Sequence, residues 1–150
     1  MNLRSLTMVG AMLLLAACAT GQSSSTTSGN AAPGSREDFV QNVGDRVFFD
    51  FDKSDIKPEG QQTLQRQATW LKKYANVKVT VEGHCDDRGT REYNLALGNR
   101  RANAVKRALV ALGIPAGRIT TISYGKERPA VVGDNEAAWA QNRRGVTVIN

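Results

Sequence analysis

Two stretches of strict alternation, separated by a run of helical period and followed by a longer one, constrain this chain more than any other feature. Val47, Phe49 and Phe51 alternate with Phe48, Asp50 and Asp52, which predicts a strand with one strongly apolar face. Val77, Val79 and Val81 alternate with Lys78, Thr80 and Glu82 in the same way. Between them Lys57-Pro58-Glu59 opens a helix, with proline suited to the first helical position. Leu64, Ala68, Leu71 and Ala75 recur at spacings of four, three and four and mark its buried face. After the loop Gly83–Thr90 the longest helix is predicted over Arg91–Leu112, with Gly98, Ala102, Val105, Leu109 and Leu112 on its inner stripe. Gly98 in mid-helix costs about 1 kcal/mol relative to alanine, so its place on that stripe implies close helix–sheet packing. Gly113 caps the helix and Pro115 prevents its continuation. A third strand is expected over Ile119–Tyr124, a short helix over Glu136–Gln141 and a last strand over Val146–Ile149. Such alternation predicts an α/β sandwich: a mixed four-stranded sheet with helices packed on one face and a βαβαβ-type core. With 150 residues, 41% of them hydrophobic, the chain can build one compact domain.

The N-terminus reads as a targeting segment. Arg4 supplies a positive start, and Met8–Ala17 is an apolar stretch too short to span a bilayer. It ends in Leu15-Ala16-Ala17-Cys18, which resembles the bacterial lipobox. That resemblance implies a signal peptide over 1–17 and lipidation of Cys18; the alternative is an ordinary signal peptide with an incidental cysteine. Several acyl chains on one residue anchor stably where one is marginal. Ala19, where an aspartate would favour retention in the inner membrane, points to the outer membrane. Residues 18–42 then form a tether, Ser-, Thr- and Gly-rich as far as Ser35. The folded domain is expected over 43–150. With Cys18 consumed, Cys85 stands alone, so no intrachain disulfide is expected.

The candidate chemistry is concentrated in Gly83–Ala102. Asp86 and Asp87 can hold a cation, and Arg100 and Arg101 an anion, so one strand–loop–helix unit suits a zwitterionic ligand. Arg101 lies one position off the inner stripe and can reach over the end of the sheet with its stem buried. Asn94 and Leu97 share its helical face. The alternative is that Arg101 merely pairs with Asp86 or Asp87. Asp50, Asp52, His84, Cys85, Asp86 and Asp87 are metal-ligand types, but adjacent loop residues rarely converge on one ion and the chain has one histidine. No metal or cofactor is expected. Asp50, Asp52 and Asp86 are the candidates for acid–base hydrolysis, though no motif fixes a nucleophile or water. The net charge of +6 is scattered and mixed with acids, which argues against a nucleic-acid partner.

Four segments in order, FDFDKSDIKPEG (Phe49–Gly60), VEGHCDDRGTREYNLALGNRRANAV (Val81–Val105), SYGKERPAV (Ser123–Val131) and NRRGV (Asn142–Val146), resemble the OmpA-like peptidoglycan-binding domain family, over about residues 43–150. With the lipobox, the resemblance is to the lipoprotein branch of that family. It implies the sandwich fold and a peptidoglycan stem peptide as ligand, held through diaminopimelate. In this chain Asp86 would take the ammonium and Arg101 the carboxylate, with Phe51, Asp52, Asn94 and Leu97 completing the pocket. Arg143 or Arg144 is a further candidate. The resemblance also implies TolB and other Tol proteins as partners, and a periplasm-facing position on the outer membrane through the lipid anchor. The expected role is envelope integrity and outer-membrane constriction in cell division, without enzymatic activity. Cys85 stands where the family often has Thr or Ala, and Asn99 where Glu or Gln is common; neither change removes a charged ligand-binding group.

Overall fold

The computed structural model describes residues 31–150. The expected signal peptide, Cys18 and the expected tether as far as residue 30 lie outside the described residues.

Regular structure begins upstream of Val43. The Ser35 hydroxyl accepts the Asp38 N–H at 3.1 Å and caps the single turn α1 (Arg36–Asp38), and a π-helical segment, Phe39–Val43, follows. The expected tether to residue 42 is corrected here. Phe39 is fully buried, edge-on to Trp70 with ring centroids 4.9 Å apart. The Trp70 indole donates to Asp38 at 2.8 Å, and Arg36 donates to the carbonyl of Ile149 at 2.7 Å. Burying one large aromatic side chain outweighs the polar composition around it.

The elements that follow are β1 (Arg46–Phe48), α2 (Pro58–Lys73), β2 (Val79–His84), α3 (Arg91–Ala111), a 3-10 turn (Ala116–Arg118), β3 (Ile119–Gly125), α4 (Glu136–Asn142) and β4 (Arg144–Ile149). The four strands form one mixed sheet in the order β1-β4-β2-β3. β4 runs antiparallel to both neighbours, while β2 and β3 are parallel and joined through α3, the crossover a parallel pair requires. The expected α/β sandwich is the fold observed. Leu64, Leu71, Val81, Ala102, Val105, Leu109 and Ile119 make the centre of the core. α3 ends as read: Gly113 has φ +101°, and the Ile114 N–H reaches back to the Leu109 carbonyl at 3.1 Å.

The first strand departs from expectation. β1 pairs only as far as Phe48 opposite Arg144, the first residue of β4. The chain then turns, with Asp52 at φ +58°. Val47 and Phe49 are buried as predicted, but Phe51 is 57% exposed. Asp50 and Asp52 therefore do not project from one side of a strand. Asp50 forms an exposed ion pair with Lys57 at 3.1 Å. Alternation extends the strand to Asp52 because it takes no account of where the partner strand begins.

Two glycines set the height of α3 above the sheet. A Cβ on Gly98 would collide with the Ser123 hydroxyl and come within 2.9 Å of the Gly83 carbonyl oxygen, and one on Gly83 would collide with the Gly98 carbonyl. Helix and strand thus meet backbone to backbone. β3 also carries one extra residue opposite the Gly83/His84 step, a bulge that places Gly125 beside His84. The Cys85 N–H then bonds the Gly125 carbonyl at 2.8 Å. The loop after β2 and the first turns of α3 are thereby fixed against the same end of the sheet.

Candidate functional site

At that end the structure brings together all six residues singled out from sequence. Phe51, Asp52, Asp86, Asn94, Leu97 and Arg101 line one small pocket, with Cys85, Arg88 and Tyr93. Each is placed by a different part of the local fold. Thr90 caps α3, its hydroxyl accepting the Tyr93 N–H at 3.2 Å. The Asn94 side chain, one turn in, donates to the carbonyls of Arg88 (2.8 Å) and Thr90 (3.0 Å) and so ties the loop to the helix. The Asn94 carbonyl accepts the Cys85 thiol at 3.3 Å. Burial pushes that thiol up to about 11, so it stays protonated at neutral pH and is a poor nucleophile.

Arg101 is the least ordinary group in the pocket. It is completely buried, and its guanidinium lies 5.2 Å from the Phe49 ring. Nε–H donates to the Lys53 carbonyl (2.8 Å), Nη1 to that of His84 (2.9 Å) and Nη2 to that of Asp50 (3.0 Å). These bonds also hold the turn after β1 against the end of β2. A guanidinium has five N–H groups, so one on each Nη remains without an oxygen acceptor. Among the described residues, no carboxylate forms an ion pair with Arg101. The alternative that it pairs with Asp86 or Asp87 is set aside. Burial lowers its pKa, as expected for a cation out of water without a full counter-charge.

Asp86 is buried too, but its charge is matched. The Arg88 Nη2 lies 2.7 Å from Oδ2, while the Arg88 Nε and backbone N–H donate to Oδ1 at 3.3 and 3.2 Å. Arg143 approaches Oδ2 at 3.5 Å. Burial pushes the Asp86 carboxyl up, but the bonds and charge of Arg88, with Arg143 behind them, outweigh it and hold the pKa below the ordinary value. Asp86 is thus a carboxylate at any physiological pH. Arg143 is anchored by the Phe49 carbonyl at 2.9 Å and by Glu136 at 2.7 Å. Arg88 and Arg143 are thus paired with Asp86 and Glu136, while Arg101 has only carbonyl oxygens as hydrogen-bond acceptors.

Of the two further arginine candidates, Arg143 is at the site. Arg144 projects with His84 from the opposite face of the sheet, where it donates to the carbonyls of Asn142 and Arg128. His84 is directed away from Asp86 for the same reason, so the ligand types clustered in sequence are divided between two faces. Asp87 accepts the Trp139 indole N–H at 2.7 Å, and Arg100 is exposed. Sequence reasoning passed over Arg88, Tyr93 and Trp139. The guanidinium of Arg88 lies between the Phe51 and Trp139 rings, 4.0 and 3.9 Å from their centroids. Its signal in the sequence was its place two residues after Asp86.

The chain matches the OmpA family over residues 48–143. It belongs to that family. It is 60% identical over 121 residues to the peptidoglycan-associated lipoprotein of Agrobacterium fabrum, an alignment covering 81% of this chain and 68% of the relative. It is 44% identical over 145 residues to that of Haemophilus influenzae, covering 95% of each. Among solved structures, the peptidoglycan-associated lipoprotein from Burkholderia pseudomallei superposes with a TM-score of 0.72 at 40% identity, over 77% of this chain and all of that one. The C-terminal domain of Helicobacter pylori MotB, at 22% identity and TM-score 0.66, shares the OmpA-like fold over 71% of this chain and 84% of its own.

Proposed function

We propose that this protein is a lipoprotein that grips peptidoglycan noncovalently by the free end of a diaminopimelate side chain, from the periplasmic side of the outer membrane. The observation that carries the reading is Arg101, a buried cation with one N–H on each Nη that has no oxygen acceptor and with no carboxylate ion pair. A ligand carboxylate that accepts both N–H groups supplies the missing counter-charge in the bidentate form arginine favours. The adjoining ammonium is matched to Asp86, an ionised carboxylate in the same pocket. Phe51 and Leu97 bracket the aliphatic stem. Both charges of a zwitterionic end then find partners, which neither a simple anion nor a simple cation achieves. The names of the relatives support peptidoglycan as the ligand.

Cys18 is the proposed point of lipid attachment and residues 19–30 the start of the tether. TolB and the other Tol proteins are the proposed partners, in a system that draws the outer membrane inward during division. The protein binds the wall and does not cleave it.

The test is retention on purified sacculi of wild type, Asp86→Ala and Arg101→Met, with thermal melts to confirm folding. Loss of retention in both variants is expected. Wild-type retention by both defeats the assignment of the pocket, and release of soluble muropeptides by the wild-type protein defeats the assignment as a binder alone.

A further inference from the structure

The pocket is closed in this structure. Its free volume is about 10 Å³, no more than one water molecule needs. Arg88 is one of its walls, and its guanidinium stands on Asp86, the carboxylate that would take the ligand's ammonium. We propose that Arg88 is a built-in surrogate for that ammonium, and that ligand entry requires its side chain to leave Asp86. This inference rests on the reading of Asp86 and Arg101 given above.

The geometry separates the parts that move from the parts that stay. The Arg88 backbone is fixed, its carbonyl accepting from Asn94 at 2.8 Å and its N–H donating to Asp86 Oδ1 at 3.2 Å. Asp86 thus keeps one bond and its orientation when the side chain departs, and only χ rotations of Arg88 are needed. The guanidinium is held on one side by Trp139, itself pinned by its indole bond to Asp87, and on the other by Phe51, which is 57% exposed. Phe51 is therefore the yielding wall and Trp139 the fixed one. The Arg88 side chain is already partly exposed, so its charge can turn to water once it leaves Asp86. The arrangement gives the buried carboxylate its nearest counter-charge in the unliganded state, with Arg143 at 3.5 Å as the more distant one that remains. It also sets a specificity threshold, because a group that binds at Asp86 must outcompete a guanidinium already there. A neutral or weakly basic amine fails that competition.

The consequence is quantitative. When only the open fraction is competent, apparent affinity falls by that fraction, so a closed-to-open ratio of about ten weakens binding about tenfold. The experiment uses Arg88→Met, which keeps an apolar stem between the two rings and removes the charge. Binding of a diaminopimelate-containing stem tripeptide is followed by calorimetry and by stopped-flow tryptophan fluorescence, with Asp86→Ala and Arg101→Met in parallel. Arg88→Met is expected to bind about three- to tenfold tighter, chiefly through a faster association rate, while the other two lose binding. Equal or weaker binding by Arg88→Met, alongside loss in the other two, overturns the surrogate role and makes Arg88 a bystander or a direct ligand contact. Wild-type binding by Asp86→Ala and Arg101→Met defeats the underlying reading instead. A purely structural role for Arg88 would lower the melting temperature without raising the association rate, which also overturns the proposal.

Discussion

Replacing Gly98 with alanine sets two effects of opposite sign against each other. In an exposed helix the change stabilises by about 1 kcal/mol, because alanine loses less backbone entropy. Here the added Cβ collides with the Ser123 hydroxyl and stands 2.9 Å from the Gly83 carbonyl oxygen. Turning the hydroxyl away sacrifices the bond it accepts from the Gly125 N–H at 3.2 Å. The carbonyl belongs to the backbone of β2 and can yield only if helix and strand separate. Overpacking of this kind costs about 1–3 kcal/mol, and a backbone obstacle places it at the upper end. The net expectation is a loss of about 2 kcal/mol, or a fall of about 8 °C in melting temperature at about 4 °C per kcal/mol. Because Arg101 lies less than a turn further along α3, a displaced helix also strains its three carbonyl bonds, so sacculus retention falls with stability. Calorimetric melts of wild type, Gly98→Ala, Ser123→Ala and the double variant complete a cycle. The double variant should recover part of the loss, since it removes the nearer obstacle and leaves the carbonyl. A Gly98→Ala protein that melts at or above the wild-type temperature refutes the reasoning, for helix propensity would then have won.

Three further outcomes are expected. Phe39→Ala should cost about 3–4 kcal/mol in urea unfolding, as for a fully buried aromatic; a loss under about 1 kcal/mol would return the segment before Val43 to the tether. His84 is held neutral, its pKa pushed down to about 4 chiefly by burial and then by the charge of Arg144, with Glu82 opposing. The unfolded chain therefore takes up the proton first, and stability is lost as pH falls from about 6.5 towards 4, by at most about 2 kcal/mol at pH 5. His84→Gln should remove that part of the slope, and because the chain has one histidine an unchanged slope would refute the assignment. Arg101→Lys keeps the charge but not the planar fork, so the carbonyls of Asp50, Lys53 and His84 are left partly unpaired. Melting should fall by the equivalent of about 2 kcal/mol and sacculus retention should be lost; full retention would show that charge alone suffices.

Periodicity in the sequence carried most of the fold, because the core is a single layer between helices and sheet. Val79, Val81, Leu64, Leu71, Val105 and Leu109 are each placed by a local repeat that needs no partner to be recognised. Local repeats fail where tertiary pairing decides the outcome. β1 stops at Phe48 because β4 begins opposite it, and nothing near Phe51 records that. Phe39 is buried because Trp70 lies across from it on α2, so a composition that reads as a tether through Ser35 says nothing about the residues that follow.

The site divides along the same line. Asp86, Asn94, Leu97 and Arg101 fall within one strand–loop–helix unit, where sequence spacing is close to spatial spacing, and they could be grouped without knowing the topology. The state of the pocket could not. Whether Asp86 is free or occupied depends on Arg88 lying between Phe51 and Trp139, and those two rings come from the turn after β1 and from α4, elements brought together only by the completed sheet. Counting charges makes the difference concrete. From sequence, Asp86 and Arg101 are equivalent halves of a zwitterion site. In the fold they are not, because Asp86 already has a guanidinium partner and Arg101 has only carbonyls. On the proposed reading, the carboxylate of an arriving ligand would gain a buried cation that has only carbonyl partners, while its ammonium would only exchange with Arg88. That reading assigns the larger share of the binding free energy to Arg101 and the finer discrimination to Asp86. Matched ligands that lack one charged group separate the two: loss of the carboxylate should weaken binding more than loss of the ammonium, and the reverse order would place the uncompensated charge elsewhere.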